Sequence, residues 1–230
     1  SSDETYSGIV PNANLIALKV FQDDGQGHFA DLEKSLQWVV KNAETYNIAN
    51  VNLSLGDEQN WNVAGSHYGI GDELAALAAQ NIIVTSAAGN NFYTFDSVEG
   101  VAYPAADPNT IGVGALWAQE SGDSWNFGNG AIDYTTDSDR VASFSQRHNS
   151  LSEIFAPGIP ITGANATGGT LTLGGTSQAA PYLAGISILA QQFAVEALGR
   201  RITLDEFREI IIDTSIPLTD GDDEDDNVIN

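Results

Sequence analysis

Two small polar residues stand between a glycine turn and a long apolar segment. The turn is Gly174-Gly175, the polar pair is Thr176-Ser177, and the apolar segment spans 186–198. This pattern predicts a tight turn that leads into a buried helix, with Thr176 or Ser177 near its N-cap. The first N–H groups of a helix lack intrahelical partners, and the helix dipole is positive there. A serine at this point suits nucleophilic attack, because those N–H groups stabilise the oxyanion that its reaction builds.

The residues that follow Ser177 keep the predicted helix thin. Pro181 falls in or just past the first turn, where a missing N–H costs least. Ala179, Ala180 and Ala184 are small enough for another backbone or a substrate to approach closely. An isolated Thr-Ser pair is more typical of an N-capped core helix, which is the alternative interpretation. The small residues here continue to Gly185, which is further than a helix cap requires.

The run Gly-Thr-Ser-x-Ala-x-Pro-x-x-Ala-Gly, from Gly175 to Gly185, resembles the nucleophile motif of the subtilisin-like serine proteases, the subtilases. The resemblance implies that Ser177 is the nucleophile and that Thr176 lies beside the substrate. Tyr182 is a mild departure, since many members carry a non-catalytic His at this point. The implied activity is hydrolysis of peptide bonds in a polypeptide substrate through an acyl-enzyme on Ser177.

A second group suited to chemistry follows the apolar segment 82–87, which predicts a buried strand. The segment ends in Ala88-Gly89-Asn90, and a strand end followed by Gly presents a short amide rigidly. An Asn in a turn is the alternative interpretation. In subtilases the Asn of Ala-Gly-Asn donates its side-chain N–H to the oxyanion. The resemblance assigns that role to Asn90 and places Ala88 and Gly89 beside the substrate.

Two further segments resemble those along which subtilases bind the substrate backbone. Gln26-Gly27 lies in a polar loop, with Phe29 expected near a side-chain pocket. Ser54-Leu55-Gly56 follows an apolar segment and resembles the lining of the pocket for the residue before the scissile bond. Gly56 allows close approach of a backbone. Pairing a peptide as an added strand would let the protein bind main chain rather than sequence.

Alternating strands and helices must position these groups. Strands are predicted for 15–20, 50–56, 82–87 and 170–173, and helices for 31–46, 72–80 and the segment after Ser177. Thr203-Leu204-Asp205-Glu206 predicts a capping box that opens a short helix ending at Ile212. The segments 57–71 and 117–139 are predicted to be irregular insertions. We therefore predict an α/β fold of the subtilisin-like type, with a mostly parallel β-sheet and helices on both faces.

Composition excludes several function classes. The 230 residues suit one domain, and they carry 31 acidic and 8 basic side chains for a net charge of −23. This excess argues against nucleic acid or an anionic membrane as partner and is typical of a salty or extracellular setting. No apolar run is long enough to span a membrane. The absence of Cys excludes disulfides and thiolate chemistry.

Metal binding receives little support from the acidic residues. Asp23-Asp24-Gly25 lacks the later ligands of a calcium loop. The run 220–227 predicts a solvated acidic loop, with a loose calcium site as the alternative. The resemblance implies that catalysis needs no cofactor and allows a structural calcium without naming its ligands. It also implies an extracellular or cell-envelope location.

The general base of a serine nucleophile is not assigned. Subtilases carry Asp, His and Ser in that order, but no His-Gly-Thr-His or Asp-Ser/Thr-Gly sequence precedes Ser177. His28, His67 and His148 fall in other segments and are expected at the surface. We expect residues 1–230 to form the C-terminal two-thirds of a subtilase catalytic domain, with its last strand cut. An N-terminal segment would supply the Asp, the His and at least one central strand.

Two other function classes share some of these features. In an α/β-hydrolase the His follows the Ser and a Gly stands two residues after it, whereas no His follows His148 and Ala179 occupies the glycine position. A catalytically dead subtilase-fold module that binds peptides is the second alternative. The unassigned His and Asp favour this module, and the intact Ser177 and Asn90 argue against it.

Overall fold

The computed structural model describes residues 7–122, 124–128, 130–152 and 154–218, together with the backbone of 222–223 and 228–229. The side chains of the acidic run 220–227 therefore lie outside the described residues. The helices are α1 (Phe29–Tyr46), α2 (Gly71–Ala79), α3 (Thr176–Leu198) and α4 (Leu204–Thr214). The strands are β1 (Asn50–Leu53), β2 (Ile83–Ala87), β3 (Ile111–Trp117), β4 (Trp125–Asn126), β5 (Ile132–Asp133), β6 (Ile154–Ile159), β7 (Ile161–Ala164), β8 (Thr170–Leu173), β9 (Asp222–Asp223) and β10 (Val228–Ile229).

Four strands form a parallel sheet in the order β1-β2-β3-β6. The other described strands form two-stranded antiparallel ribbons, β4 with β5, β7 with β8, and β9 with β10. In the register of the main sheet, Val51 lies beside Val84 and Thr85 lies beside Ile111. Because parallel strands end at the same edge, the segments that follow β1 and β2 are brought side by side.

The sheet is covered by helices on both faces, as predicted. Ile83 and Ala87 of β2 belong to a core cluster with residues of α3 and α4. Val84 and Ala88 belong to a second cluster with residues of α1 and α2. Successive side chains of a strand point to opposite faces, so this alternation places the two helix layers on opposite sides of the sheet. Helix α3 packs across all four strands of the sheet.

Helix α1 shows how the apolar spacing produces a buried face. Leu32, Leu36, Val39 and Ala43 are buried and recur every three or four residues, which is the spacing of one helix face. The helix ends at Asn47, which adopts the left-handed conformation with φ of 51°. Asn tolerates that conformation and is a frequent helix terminator.

Helix α4 begins with the predicted capping box and ends at Thr214, two residues beyond the prediction. The hydroxyl of Thr203 accepts from the Glu206 N–H at 3.1 Å, and the Glu206 carboxylate accepts from the Thr203 N–H at 2.8 Å. Arg200 also donates two hydrogen bonds to this carboxylate, at 2.7 and 2.8 Å. The Arg200 contact, followed by the Thr203 N–H, lowers the pKa of Glu206 to about 2.

The predicted strand over 15–20 is wrong. This segment has no strand structure, and Leu15 is 91% exposed. Ile16 and Leu18 are also exposed. An extended apolar segment becomes a strand only where a neighbour satisfies its backbone groups, and among the described residues β1 is an edge strand that does not pair with it.

The insertion predicted over 117–139 is tied to the core more closely than its polar composition indicated. Trp117 ends β3 and is buried, and its indole N–H donates to Asp133 Oδ2 at 2.5 Å. Asp133 Oδ1 accepts from the Ser143 N–H at 2.8 Å. A buried carboxylate that accepts these hydrogen bonds fixes the excursion, including the β4-β5 ribbon, against the main sheet.

In the described part of the chain, no helix combines the length and apolar character needed to cross a membrane.

We expect Glu206→Gln to lower the midpoint of thermal unfolding at pH 7. The folded-state pKa of Glu206 is depressed, so its stabilising contribution is present above about pH 4.5 and is lost as the pH falls towards about 2. The difference in Tm between wild type and variant should therefore shrink over that interval. Differential scanning calorimetry from pH 7 to pH 2 measures it.

Glu209→Gln is the matched control, because it removes the same charge from an exposed position of the same helix. A Tm difference for Glu206→Gln that stayed constant down to pH 2, or that matched the control, would contradict the role of this carboxylate.

Candidate active site

The predicted nucleophile lies at the start of α3. Gly175 is the N-cap, Thr176 is the first helical residue and Ser177 is the second. The N–H of Ser177 therefore has no intrahelical acceptor. The Ser177 side chain is half-buried, and its hydroxyl donates to the Ser54 carbonyl at 3.4 Å. Both the hydroxyl and the N–H lie at the positive end of a helix of 23 residues.

Pro181 releases the carbonyl of Ser177 from the helix. In a regular helix that carbonyl would accept from the N–H four residues later, but residue 181 is proline and has no N–H. The Ser54 hydroxyl takes its place and donates to the Ser177 carbonyl at 2.7 Å. Ser54 thus contacts Ser177 through both its carbonyl and its hydroxyl, which fixes the nucleophile to the end of β1.

Ser54 is hydrogen-bonded to a side chain of the sheet. Its hydroxyl accepts from Asn52 Nδ2 at 2.9 Å, and Asn52 Oδ1 accepts from the Thr85 hydroxyl at 3.4 Å. Thr85 is fully buried in β2. This chain of hydrogen bonds connects the buried sheet to the Ser177 backbone.

Asn90 is oriented by the residue that precedes the nucleophile. The N–H and the hydroxyl of Thr176 each donate to Asn90 Oδ1 at 2.9 Å. The same hydroxyl accepts from the Gly89 N–H at 3.1 Å. A β-carbon at Gly175 would lie 3.5 Å from Asn90 Nδ2 and 3.6 Å from Asn90 Oδ1, so both ends of the amide adjoin the N-cap of α3. An amide donor is therefore fixed beside the start of α3.

Residues 54–56 follow β1, and residues 88–89 follow β2. We call these two segments the strips, and Ala102 lies against both of them. A β-carbon added to Gly56 would lie 3.0 Å from the β-carbon of Ala102, and one added to Gly89 would lie 3.2 Å from the same atom. Ala102 is buried, and its N–H donates to the Ala88 carbonyl at 2.7 Å. We call the space between the strips 54–56 and 88–89, above Ala102, the slot. Leu55 lies on the first strip.

Gln26 and Gly27 are engaged within their own turn. The Gln26 carbonyl accepts from the Gln22 N–H at 2.8 Å, and the Gln26 N–H donates to Asp24 at 3.0 Å. Gly27 pairs with Phe21 as an isolated antiparallel bridge. The structure thus joins Ser177, Thr176, Asn90, Ser54 and Gly89 by direct contacts, while the substrate-binding role of Gln26 and Gly27 stays a prediction.

Among the residues that the structure describes, no histidine is hydrogen-bonded to Ser177. His28 precedes α1 and is exposed. His67 stacks on Trp61 with ring centroids 3.8 Å apart and is half-buried. His148 accepts from the Ser150 N–H at 3.2 Å. The described residues therefore bring Ser177 and Asn90 together without an imidazole hydrogen-bonded to the serine.

Asp57 organises the insertion 57–71, and sequence reasoning missed this role. Its carboxylate accepts from the Trp61 indole N–H at 2.8 Å, the Tyr68 hydroxyl at 3.0 Å and the Tyr103 N–H at 2.9 Å. Burial, followed by Asp57, raises the pKa of Tyr68, and burial raises that of Tyr103. Phe29 stacks on Tyr68 with ring centroids 4.1 Å apart. A carboxylate among aromatic residues directly after Ser-Leu-Gly was the available signal.

Metal-binding side chains are not clustered in the described residues. These residues contain no group of three or more His, Cys, Asp or Glu side chains that could hold a metal ion. Asp23 of the polar loop is paired with Lys19. No step of the chemistry below uses a metal.

A half-buried serine at a helix start, next to an amide donor at a strand end, is an arrangement that serves acyl transfer. On a parallel sheet covered on both faces, it defines an α/β protein with a serine-hydrolase type of site. The profile of the subtilase family matches residues 1–229, and the chain belongs to that family.

Curated relatives carry the same family character. Subtilisin E of Bacillus subtilis (strain 168) is 31% identical over 183 residues, which cover 79% of this chain and 40% of that protein. Subtilisin-like protease 1 of Arthroderma gypseum is 29% identical over 206 residues, which cover 88% of this chain and 36% of that protein. The chain thus spans about two-fifths of the length of these relatives.

Solved structures show the same fold. Sphericase matches with a TM-score of 0.65 at 23% identity, covering 89% of this chain and 61% of that chain. The prenylagaramide maturation protease PagA matches with a TM-score of 0.63 at 22% identity, covering 91% of this chain and 66% of that chain. At these identities the likeness establishes the fold, which confirms the predicted subtilisin-like architecture.

The contact between Ser54 and the Ser177 carbonyl predicts a coupling with Pro181. Ser54→Ala should cost about 1–2 kcal/mol of unfolding free energy, because the carbonyl loses its donor. Pro181→Ala supplies the missing helical N–H, so Ser54→Ala should cost about 1 kcal/mol less in that background. Urea unfolding of the four proteins of this double-mutant cycle measures the coupling.

Ser35→Ala is the matched control. Its hydroxyl also donates to a backbone carbonyl, that of Asp31 at 2.9 Å, but the N–H of residue 35 can satisfy that carbonyl within α1. Its cost should be small and equal in both backgrounds. Additive effects of Ser54→Ala and Pro181→Ala would show that the two residues do not share the Ser177 carbonyl.

Proposed function

We propose that this chain carries the nucleophile and the oxyanion site of a serine endopeptidase. The observation that carries the proposal is the pair of hydrogen bonds, both 2.9 Å, from Thr176 to Asn90 Oδ1. They direct the amide donor of Asn90 to the start of α3, where Ser177 presents its hydroxyl and its free N–H. Subtilase membership supports peptidase chemistry at this site.

In the proposed reaction, Ser177 Oγ attacks the carbonyl carbon of the scissile peptide bond while a base takes its proton. The carbonyl oxygen becomes an oxyanion, held by the Asn90 Nδ2 and the Ser177 N–H. The carbon–nitrogen bond then breaks, and the leaving amine takes the proton from the base. Water attacks the resulting ester in the same manner and releases the acid, which regenerates the Ser177 hydroxyl. No cofactor takes part.

The substrate backbone would lie between the strips. Ser54-Leu55-Gly56 and Ala88-Gly89 flank the slot, and Gly56 and Gly89 would present backbone without a side chain to the peptide. In this proposal Gln26-Gly27 offers a further strip for main-chain pairing. The residue before the scissile bond would place its side chain in the slot.

The base and its carboxylate are proposed to come from polypeptide that docks on two open surfaces. One is the free edge of β1 in the described sheet, which presents unpaired backbone groups. The other is a stripe on α3 formed by Ile186, Leu189 and Phe193, whose side chains are 36%, 44% and 71% exposed. Their spacing puts them on one face of the helix. A strand and a helix carrying the Asp and the His would cover both surfaces.

A peptide-binding module without catalysis is the second candidate. It is favoured by the positions of His28, His67 and His148, which contact other groups than Ser177. In that case Ser177 and Asn90 would bind a peptide carbonyl without cleaving it. For either function the family resemblance favours an extracellular or cell-envelope location.

Thr176→Val tests the alignment of Asn90 in a protein that contains the base. The change removes the hydroxyl and keeps the shape, so the amide loses one of two restraints. We expect kcat to fall about tenfold with KM nearly unchanged, because the loss affects mainly the oxyanion. Thr176→Ser should restore most of the rate. Steady-state kinetics on a chromogenic peptide measures both parameters.

Asn90→Ala should reduce kcat more than Thr176→Val, since it removes the donor itself. If Thr176→Val raised KM and left kcat unchanged, Thr176 would contact the substrate and would not position the amide.

A fluorophosphonate probe tests the nucleophile and the source of the base. In natively produced protein we expect the label on Ser177. Intact mass and peptide mapping should also find a peptide from the polypeptide that carries the Asp and the His. The 230-residue chain alone should hydrolyse casein negligibly compared with a polypeptide that also contains the Asp and His segment. Ser177→Ala, which keeps the fold, is the control for labelling.

Equal casein hydrolysis by the short and the long polypeptide would contradict the proposed source of the base. Absence of label on natively produced protein would favour the binding module over the peptidase.

A further inference from the structure

Gln146 is a fully buried amide with one unused acceptor. Its Nε2 donates to the Gln59 carbonyl at 2.9 Å and to Asn60 Oδ1 at 2.8 Å. Both partners are acceptors, so they determine which end of the amide carries the nitrogen. The Oε1 atom is buried and has no hydrogen-bond partner among the described residues. Gln146 is 0% exposed.

The unused oxygen lies against the slot. A β-carbon added to Gly89 would lie 2.0 Å from Gln146 Oε1 and 3.2 Å from the Ala102 β-carbon. The oxygen and the alanine methyl are therefore on the same side of Gly89. A β-carbon added to Gly56, across the slot, would also contact that methyl at 3.0 Å. The oxygen thus adjoins Ala102, which lies against both strips.

The position of Gln146 is held firmly. Its backbone N–H donates to the Gly89 carbonyl at 2.9 Å. Its two side-chain bonds reach the insertion 57–71, which Asp57 orders through Trp61 and Tyr103. Rotating the amide to satisfy Oε1 would break both Nε2 bonds. A buried acceptor kept unpaired by its surroundings calls for an explanation, and a donor on a substrate side chain beside Gly89 would supply one.

We propose that Gln146 determines side-chain specificity. The slot receives the substrate residue before the scissile bond. It selects a side chain whose tip carries an N–H or O–H donor for Gln146 Oε1. This inference rests on the proposed function, because it requires that the slot receives that residue. The Ala102 methyl and the two glycine strips contact the apolar part of the side chain. The fixed oxygen discriminates between side chains of equal size, because an analogue without a donor leaves it unpaired.

The test uses natively produced protein and peptides that differ only in the residue before the scissile bond. Two pairs match in shape and differ in the donor, namely Tyr with Phe and Asn with Leu. We expect the donor member of at least one pair to be cleaved with a kcat/KM about tenfold higher. Cleavage of every peptide without a donor preference would overturn the inference.

Gln146→Met removes the acceptor and keeps the length of the side chain. We expect the ratio of kcat/KM between the donor peptide and its donor-free partner to fall to about one, whereas loss of the two Nε2 bonds alone would lower both values equally. Gln119→Met, at an exposed position beyond β3, is the matched control and should keep the preference. A uniform fall in kcat/KM for both members of each pair would assign Gln146 a purely structural role and overturn the inference.

Two readouts keep the outcomes separate. Fluorophosphonate labelling of Ser177 in Gln146→Met reports that the nucleophile and fold are intact; if this variant does not fold, the matched peptide pairs on unaltered protein decide alone. Absence of both labelling and cleavage in the unaltered protein would overturn the proposed function and this inference with it. Labelling with cleavage but no donor preference would overturn the inference alone.

Discussion

The hydrogen bonds between Thr176 and Asn90 are the interaction on which the site depends. They join the end of β2 to the start of α3 across 86 residues of chain. The Thr176 hydroxyl makes two hydrogen bonds, because it donates to Asn90 Oδ1 and also accepts from the Gly89 N–H. The side-chain amide of Asn90 is therefore held next to Thr176, the residue directly before Ser177. Preorganised donors of this kind need no rearrangement when charge develops.

The parallel sheet makes that interaction geometrically available. Because β1 and β2 end at one edge and α3 packs across the sheet, three separate segments of chain meet at the helix start. Pro181 has no N–H to donate to the Ser177 carbonyl. The hydroxyl of Ser54 donates to that carbonyl instead. Ser177 is thereby tied to the end of β1 by its main chain, and its hydroxyl makes a longer hydrogen bond, of 3.4 Å, to the Ser54 carbonyl.

In the proposed peptidase, the described residues supply the oxyanion side of the catalytic site and not the base. The oxyanion side has fixed donors, ordered glycine strips and a slot with a buried acceptor. In that proposal the base comes with polypeptide that covers the edge of β1 and the apolar stripe on α3. Exposed apolar side chains in helical register, next to an unpaired strand edge, are the surfaces that further polypeptide would cover. The proposed peptidase needs both sides.

The sequence by itself determined the four described helices, two of the four strands of the main sheet (β1 and β2), the capping box, and Ser177 and Asn90 as candidate site residues, because these depend on local spacing and short motifs. It misplaced segment 15–20, since a strand also needs a neighbour. Only the tertiary structure decided which way the Asn90 amide faces, that Ser54 replaces the bond lost at Pro181, and that Gln146 keeps a free oxygen beside the slot. These features depend on contacts between residues 86 or more positions apart, and local patterns carry no information about such contacts.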